Sequence, residues 1–490
     1  MRFILDRTDK PYLKFFEDIC AIPHESFNEK AISEYIVQFA KDRGLWYYTD
    51  DLWNVVIKKP ASPGYENRKP VMLQAHTDMV CEKTPDSDFN FDTDPLELYV
   101  EDGWLHARNT TLGADDGYGV AYMLAVLDDD TIPHPPLECF FSVQEEVGIG
   151  GPRGFKNYAC FESRRIINLD ANEEGTTNAF QTAVIGGEWK LPLAYEPVPK
   201  GLNWYHVHLD GFTAGHASLD HVWGRGTAIG WSLRVAAALY DAFGTMPLAG
   251  YSGGTFRNNL SRNADFTFGS ERKLEDVAAV VARIEAQAKN EHAETDPNLW
   301  FEVKKAEEPE AVLTAESAEK ALDFVSVLPD GISMLYQCER KVLKTANNLG
   351  IVRMERDGTA GTMTVGYMFR TSFKPARDEM FRKMQIIGRL FGATYNEEYR
   401  YSGYKLKMDG DLYKTWNQVY RDATGKDLYI KYTGGGNDVG TIMEGLGGEE
   451  LCEAIGIAPD NPFVHTPREK LDLASFDRAY RYLLEVLKRL

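Results

Sequence analysis

The sequence predicts an α/β protein built on a mainly parallel central sheet, with a separate α+β unit inserted into it. Short apolar runs bounded by Pro, Gly or polar residues alternate with helix-period segments over residues 1–186, and again over 398–490. Between 187 and 397 the order changes to strand, helix, strand, strand, helix, the signature of an α+β unit. A chain of 490 residues is also too long for one ordinary core.

The elements follow in order. Asn28 to Arg43 carries Ile32, Ile36, Val37 and Phe39 at helical spacing, and Gly44 stands where such a helix stops. Val55-Val56-Ile57, Val71-Met72-Leu73, Leu137 to Val143 and Ile166 to Leu169 are apolar on both faces, as strands buried between helices must be. Gly117 to Leu127, small and apolar throughout, predicts a helix packed on that sheet. In the inserted unit, Trp204 to Leu209 alternates like a half-buried strand, and Leu299 to Val303 and Met363 to Phe369 predict further strands. Thr227 to Phe243, Leu274 to Asn290 and Pro375 to Phe391 predict its helices. Glu307 to Glu319, acidic and Ala-rich, reads as solvated surface, and Phe476 to Leu490 as a closing amphipathic helix.

A formal net charge of −20 excludes a nucleic-acid groove or an anionic membrane as partner, since both need basic surface. Cys20, Cys81, Cys139, Cys160, Cys338 and Cys452 are scattered without a CxxC pair, which predicts reduced thiols in a cytoplasmic protein. The start, Met1 to Arg7, is charged before any apolar stretch of signal-peptide length, and no run approaches the roughly 20 apolar residues of a membrane span.

Five clusters carry the chemistry: His76-Thr77-Asp78, Asp115-Asp116, Glu145-Glu146, Asp170 and His465. His76, Glu145-Glu146 and Asp170 each end an apolar run, and open α/β sheets bind ligands at the carboxyl ends of their strands. Asp78 stands two residues past His76, where it can accept the second imidazole N–H and fix the tautomer. Asp115 has two readings, a helix N-cap or a carboxylate shared by two cations, and the glycines at 113, 117 and 119 permit backbone to crowd such a site. The mixed His and carboxylate set suits Zn²⁺, Mn²⁺ or Co²⁺. No complete phosphate loop is present, which disfavours a nucleotide binder.

The chain resembles the aminoacyl-histidine (Xaa-His, carnosinase-like) dipeptidases of the dinuclear zinc aminopeptidase-type superfamily over nearly its whole length. The resemblance rests on Leu73 to Val80, Leu112 to Gly117, Glu145 to Gly148, Asn168-Leu169-Asp170, Gly215 to Ser218, Arg257-Asn258 and His465. It implies a zinc-aminopeptidase-like catalytic domain (1–186 and 398–490) with an inserted α+β lid domain (187–397), two divalent metal ions, and hydrolysis of dipeptides such as β-Ala-His. His76 and Asp170 would hold one ion, Glu146 and His465 the other, with Asp115 bridging, Glu145 the general base and Asp78 orienting His76. From the lid, His216 would polarise the scissile carbonyl, Asn258 would reach the substrate and Arg370 would pair with its free carboxylate. The resemblance also implies a homodimer through the lid, in which His216 serves a neighbouring subunit.

Three departures from the family pattern stand out. Asp115-Asp116 replaces the more frequent Asp-Asn, and Gly-His-Ala-Ser replaces Gly-His-Ser-Gly at 215–218. Tyr432 to Asp438 replaces a His-Ala-Gly-Leu-Glu-type segment expected to border the substrate pocket. The last change bears on strict preference for a C-terminal histidine and keeps two alternatives open: a broader dipeptidase or tripeptidase, and a deacylase of N-acyl amino acids using the same metal pair.

Overall fold

A computed structural model describes residues 10–336, 342–432 and 435–490. The readings made on Met1 to Arg7, Cys338, Thr433 and Gly434 lie outside the described residues. The chain divides into two compact units. The first takes the chain through Gln181 together with Tyr401–Tyr432 and Gly436–Leu490; the second takes Thr182–Arg400 and Gly435.

The first unit is built on a six-stranded sheet. Its strands, in spatial order, are Trp46–Thr49, Val55–Lys59, Leu137–Ser142, Val71–His76, Arg165–Asn168 and Glu453–Gly456. The last four run parallel and the first two pair antiparallel, so the sheet is mainly parallel as the apolar runs predicted. Every residue of the Val71–His76, Leu137–Ser142 and Arg165–Asn168 strands is buried. Helices cover the sheet. Ala114–Asp128 is buried along its length except at its last residue, while Pro11–Cys20, Lys30–Asp42 and Leu473–Arg489 bury one stripe each. The stripe of the last helix packs Phe476 and Tyr480 against Tyr12 and Tyr122.

The second unit centres on an antiparallel sheet whose path runs Trp300–Lys305, Asn203–Asp210, Ala264–Ser270, Leu248–Gly253, Leu343–Asp357, Ala360–Thr371, Ala183–Glu196 and Val312–Leu313. Helices Ala228–Phe243, Leu274–Glu291, Ala315–Val327 and Lys374–Phe391 bury apolar residues in a core shared with that sheet. The helix Ala315–Val327 overlaps the segment expected to be solvated surface. Ala318, Ala321, Phe324 and Val325 form its buried face, and Thr314 caps it by accepting the N–H of Ser317. The acidic residues before it masked a helix whose apolar anchors lie mostly beyond Glu319. Gly186-Gly187, the pair at which the sequence suggested a domain boundary, lies inside the strand Ala183–Glu196. A side chain at Gly186 would strike the Tyr399 ring, and one at Gly187 would meet the Tyr395 ring at 2.9 Å, so close packing explains both glycines.

Among the described residues no helix is long and apolar enough to cross a membrane. Cys20, Cys81, Cys139, Cys160 and Cys452 are free thiols.

Packing beside the site is tight at Gly119, where an added Cβ would fall on Asp116 Oδ1 and 2.8 Å from Leu169 Cβ. Gly119→Ala is expected to lower stability by about 1–3 kcal/mol through overpacking. Gly117→Ala, whose nearest contact is the Phe16 ring at 3.2 Å, is expected to cost less because that ring need give way only slightly. Urea midpoints of the two variants check this; equal losses would contradict the packing.

Candidate metal centre

Parallel register decides where the site is. His76 lies opposite Ser142 on one side, and Gln74 lies opposite Asn168 on the other. Two residues beyond Gln74 and Asn168 stand His76 and Asp170, at the same level; the Glu145-Glu146 turn leaves the third strand at that same edge. Asp115 comes from the turn before the Ala114–Asp128 helix, and His465 from the loop after the fourth parallel strand. All five segments therefore deliver their side chains to the carboxyl edge of one sheet.

The donor atoms converge. His76, Asp115 and Asp170 each offer a ligand atom within 4.8 Å of the others, and so do Asp115, Glu146 and His465. Asp115 belongs to both groups. A third group joins His76, Glu145 and Glu146. His76 Nε2 lies 3.2 Å from Asp115 Oδ1, while His465 Nε2 lies 2.9 Å from Glu146 Oε1 and 3.5 Å from Asp115 Oδ2. The structure thus brings together His76, Asp115, Glu145, Glu146, Asp170 and His465.

Of the two readings of Asp115, the helix cap fails. The cap position is Gly113, no side chain caps the helix, and Asp115 and Asp116 have non-helical dihedrals. The Asp115 carboxylate instead faces His76, His465 and the Asn172 amide, whose Nδ2 donates to it at 3.1 Å and to Asp170 at 3.4 Å. The Asp115–Asp116 peptide bond is cis.

Asp78 meets His76 through both its carbonyl and its carboxylate, and the carboxylate does further work besides. The Nδ1–H of His76 is donated to the backbone carbonyl of Asp78 at 3.0 Å, with the carboxylate 3.5 Å away. Asp78 Oδ1 accepts the N–H of Glu145 at 3.0 Å, and Oδ2 accepts that of Glu146 at 3.3 Å and the Ser26 hydroxyl at 2.8 Å. One residue therefore leaves His76 Nε2 facing Asp115 and also pins the Glu145-Glu146 turn.

Sequence reasoning missed three supporting groups. Glu469 is fully enclosed and accepts the backbone N–H groups of Leu112, Gly113, Ala114 and Asp115 at 2.8–3.2 Å, so it holds the loop carrying Asp115. Asp438, also buried, accepts from Gln74 Nε2 at 2.9 Å and from the Ser142 hydroxyl. Asn172 ties Asp115 to Asp170 as described. Gln144, Asn172, Phe463 and His465 take left-handed backbone conformations, each a strain of about 1–3 kcal/mol of the kind that gathers at functional sites.

The charge balance tests whether metal ions suit these residues. Burial raises the pKa values of Glu145, Glu146 and Asp170, and the neighbouring carboxylates push them further in the same direction. Burial alone would discharge His465, but its bonds to Asp115 and Glu146 outweigh that and raise its pKa to about 10. His76 is likewise raised, against its burial, by Asp115 and Asp78. Asp115 is held low, again against burial, by the two histidines. Two imidazoles are too few to balance these acids. Divalent cations in a nitrogen and oxygen donor set fit the residues present.

In the second unit, His216 lies on a short strand paired with Asn259-Leu260, and the Asn258 carbonyl accepts the Ala217 N–H at 2.8 Å. His216 Nδ1 accepts the N–H of Ser218 at 3.3 Å and meets its hydroxyl, which leaves the proton on Nε2. Burial, reinforced by the charge of Arg370, lowers the His216 pKa to about 4, so the ring is neutral at pH 7. Arg370 is buried on the Ala360–Thr371 strand, paired with Val184 and Ala346.

Comparison with known proteins places the chain in a family. The family model for peptidase family M20/M25/M40 matches residues 72–489. The cytosol non-specific dipeptidase of Escherichia coli strain K12 is 30% identical over 482 residues, covering 98% of each chain. The crystal structure of aminoacylhistidine dipeptidase from Vibrio alginolyticus superposes with a TM-score of 0.85 at 27% identity, covering 99% of this chain and 97% of that one. A Staphylococcus aureus tripeptidase, at 16% identity and a TM-score of 0.56 over 98% of both chains, shares the fold.

Two outcomes are expected. Glu469→Ala should weaken zinc binding by about 10–100-fold, since it releases four amides behind Asp115, measurable by competition with a chromophoric chelator. Undiminished affinity would show that the cradle is dispensable. Metal uptake at pH 7 should also release protons, because a histidine with its pKa raised to about 10 is charged there and must lose its proton to ligate. Affinity should therefore rise with pH from 6 to 8. Calorimetry in buffers of different ionisation enthalpy measures the release, and a value near zero would contradict it.

Proposed function

This chain belongs to peptidase family M20/M25/M40 and is a peptide-bond hydrolase, and from that premise we propose that it is a metal-dependent dipeptidase acting on Xaa-His dipeptides such as β-Ala-His. The observation that carries the reading is the membership of Asp115 in both ligand groups, with Glu145 beside the ligands yet outside those two groups. His76 and Asp170 are proposed to hold one cation, Glu146 and His465 the other, and Asp115 both. Two divalent cations, of which Zn²⁺ suits the donors, would polarise the peptide carbonyl and lower the pKa of water when bound.

The residues divide the remaining work. Glu145 is proposed as the general base that takes a proton from the attacking water and returns it to the departing amine. Its enclosure favours this, because burial disfavours the charged carboxylate and so brings its basicity nearer to neutral pH. Asp78 supports that role by holding the Glu145 N–H. His216, neutral and protonated on Nε2, is proposed to donate a hydrogen bond to the carbonyl oxygen as charge develops, a contribution commonly worth about 3–4 kcal/mol. Asn258 and Arg370 are proposed to bind the substrate, Arg370 through its free carboxylate. We place the protein in the cytoplasm, supported by its free thiols and by an Escherichia coli relative named as cytosolic.

A broader dipeptidase is the second reading. It is favoured by the printed name of that relative, a non-specific dipeptidase, and by the changed segment from Tyr432 to Asp438. Turnover of β-Ala-His, Ala-His, Ala-Ala and N-acetyl amino acids separates the readings. Preference for the histidine dipeptides supports the first, comparable rates on Ala-Ala the second, and hydrolysis of the acylated amino acids alone overturns both. Glu145→Gln should lower kcat by about 10²–10⁴-fold while keeping its metal, whereas Asp115→Ala should lose metal. Near-normal turnover of Glu145→Gln would remove Glu145 from the mechanism.

A further inference from the structure

The outer face of the second unit's sheet carries a donor cluster that the peptidase chemistry does not use. His206 and His208 alternate on the Asn203–Asp210 strand, so both rings leave the same face. That strand is paired on both sides, with Ala264–Ser270 and with Trp300–Lys305, which fixes the two Cβ positions. Asp265 is the register partner of His208, and Thr267 that of His206.

Three donor atoms meet at one point. Asp265 Oδ1 lies 3.1 Å from His206 Nε2 and 2.6 Å from His208 Nδ1. His206, His208 and Asp265 satisfy the same 4.8 Å mutual spacing as the groups at the catalytic edge, and all three are partly exposed. We propose that they bind one borderline divalent cation, with Zn²⁺ as the occupant.

The surroundings argue for this chemistry. In a tetrahedral site with bonds of about 2.0–2.1 Å the donors stand roughly 3.3 Å apart, so the cluster needs only a small opening to admit the ion. The far nitrogen of His206 meets the Thr267 hydroxyl at 3.1 Å, the kind of partner that orients a ligating imidazole. The far nitrogen of His208 lies 3.9 Å from Asp210 Oδ2, and its ring packs on Trp300. Glu302, the register partner of His208 on the other side, is already paired with Lys304 at 2.8 Å. Two imidazoles and one carboxylate, with a fourth position open to solvent, select zinc-like ions over Mg²⁺ or Ca²⁺, which demand oxygen ligands. The ion would clip two adjacent strands together.

The test uses the full-length protein dialysed against Zn²⁺, with bound metal counted by mass spectrometry. His206→Ala/His208→Ala should bind one equivalent fewer than the parent and keep its peptidase activity. Asp265→Asn, close to isosteric, should show the same deficit, and circular dichroism verifies that both variants are folded. Co²⁺ added to an Asp115→Ala background should still give ligand-field bands, which His208→Ala abolishes; this arm is independent of the catalytic edge. Equal metal content in parent and folded variants, or bands that survive loss of His208, would overturn the proposal.

Discussion

Burial of negative charge at one sheet edge is the constraint around which the first unit is arranged. Asp78, Asp115, Asp116, Asp438 and Glu469 are buried, and Glu145, Glu146 and Asp170 are largely enclosed beside them. An unpaired carboxylate in such a place costs several kcal/mol. The protein answers in two ways. Glu469 and Asp78 are saturated by backbone amides, so their charge is absorbed by the loops they organise. Among the described residues, Asp115, Glu146 and Asp170 face inward with two histidines and one asparagine amide among them. That division separates carboxylates that build the site from carboxylates that await cations.

The same constraint explains why the donors come from so many segments. A parallel sheet brings several strand ends to one edge while their bodies stay in an apolar core, so the donors are held in place by separate segments. Every residue from Val71 to His76 and from Leu137 to Ser142 is buried, so the strand ends have little freedom to spread apart. The second unit obeys other rules. Its sheet is antiparallel, and polar side chains such as His206 and His208 occupy a solvent-facing side that a buried parallel strand lacks.

Legibility in the sequence follows from this. His76, Glu145-Glu146 and Asp170 could be picked out because each ends an apolar run, and their weight came from occurring together in one chain. The helix from Lys30 and the strand from Val71 likewise match their periodicity to within about two residues. Glu469 was invisible because its partners are amides 354–357 positions away, and no local pattern marks an acid that binds backbone. Asp438 was hidden for the same reason, lying 296 residues from Ser142. The long strands Ala183–Glu196 and Leu343–Asp357 were blurred by internal glycines and asparagines whose reasons are tertiary. Gly350 is one such case, since a Cβ there would meet the backbone of Phe256 and Arg257.

Asp116 meets the same constraint, at a place where the resemblance leads one to expect asparagine. Its Oδ2 accepts the His76 N–H at 3.3 Å, a bond that an asparagine carbonyl would make equally well. Burial raises the Asp116 pKa well above the carboxylate range, and the acids Asp170 and Asp115 add to the rise against the opposing pull of His76. Burial therefore favours the protonated form of Asp116, whose one accepting oxygen and one O–H give nearly the shape and polarity of an amide. An ionised Asp116 would add a further charge to a site already crowded with them. Asp116 therefore keeps what the position requires: an acceptor for the backbone N–H of His76, packed against Gly119 where nothing larger fits.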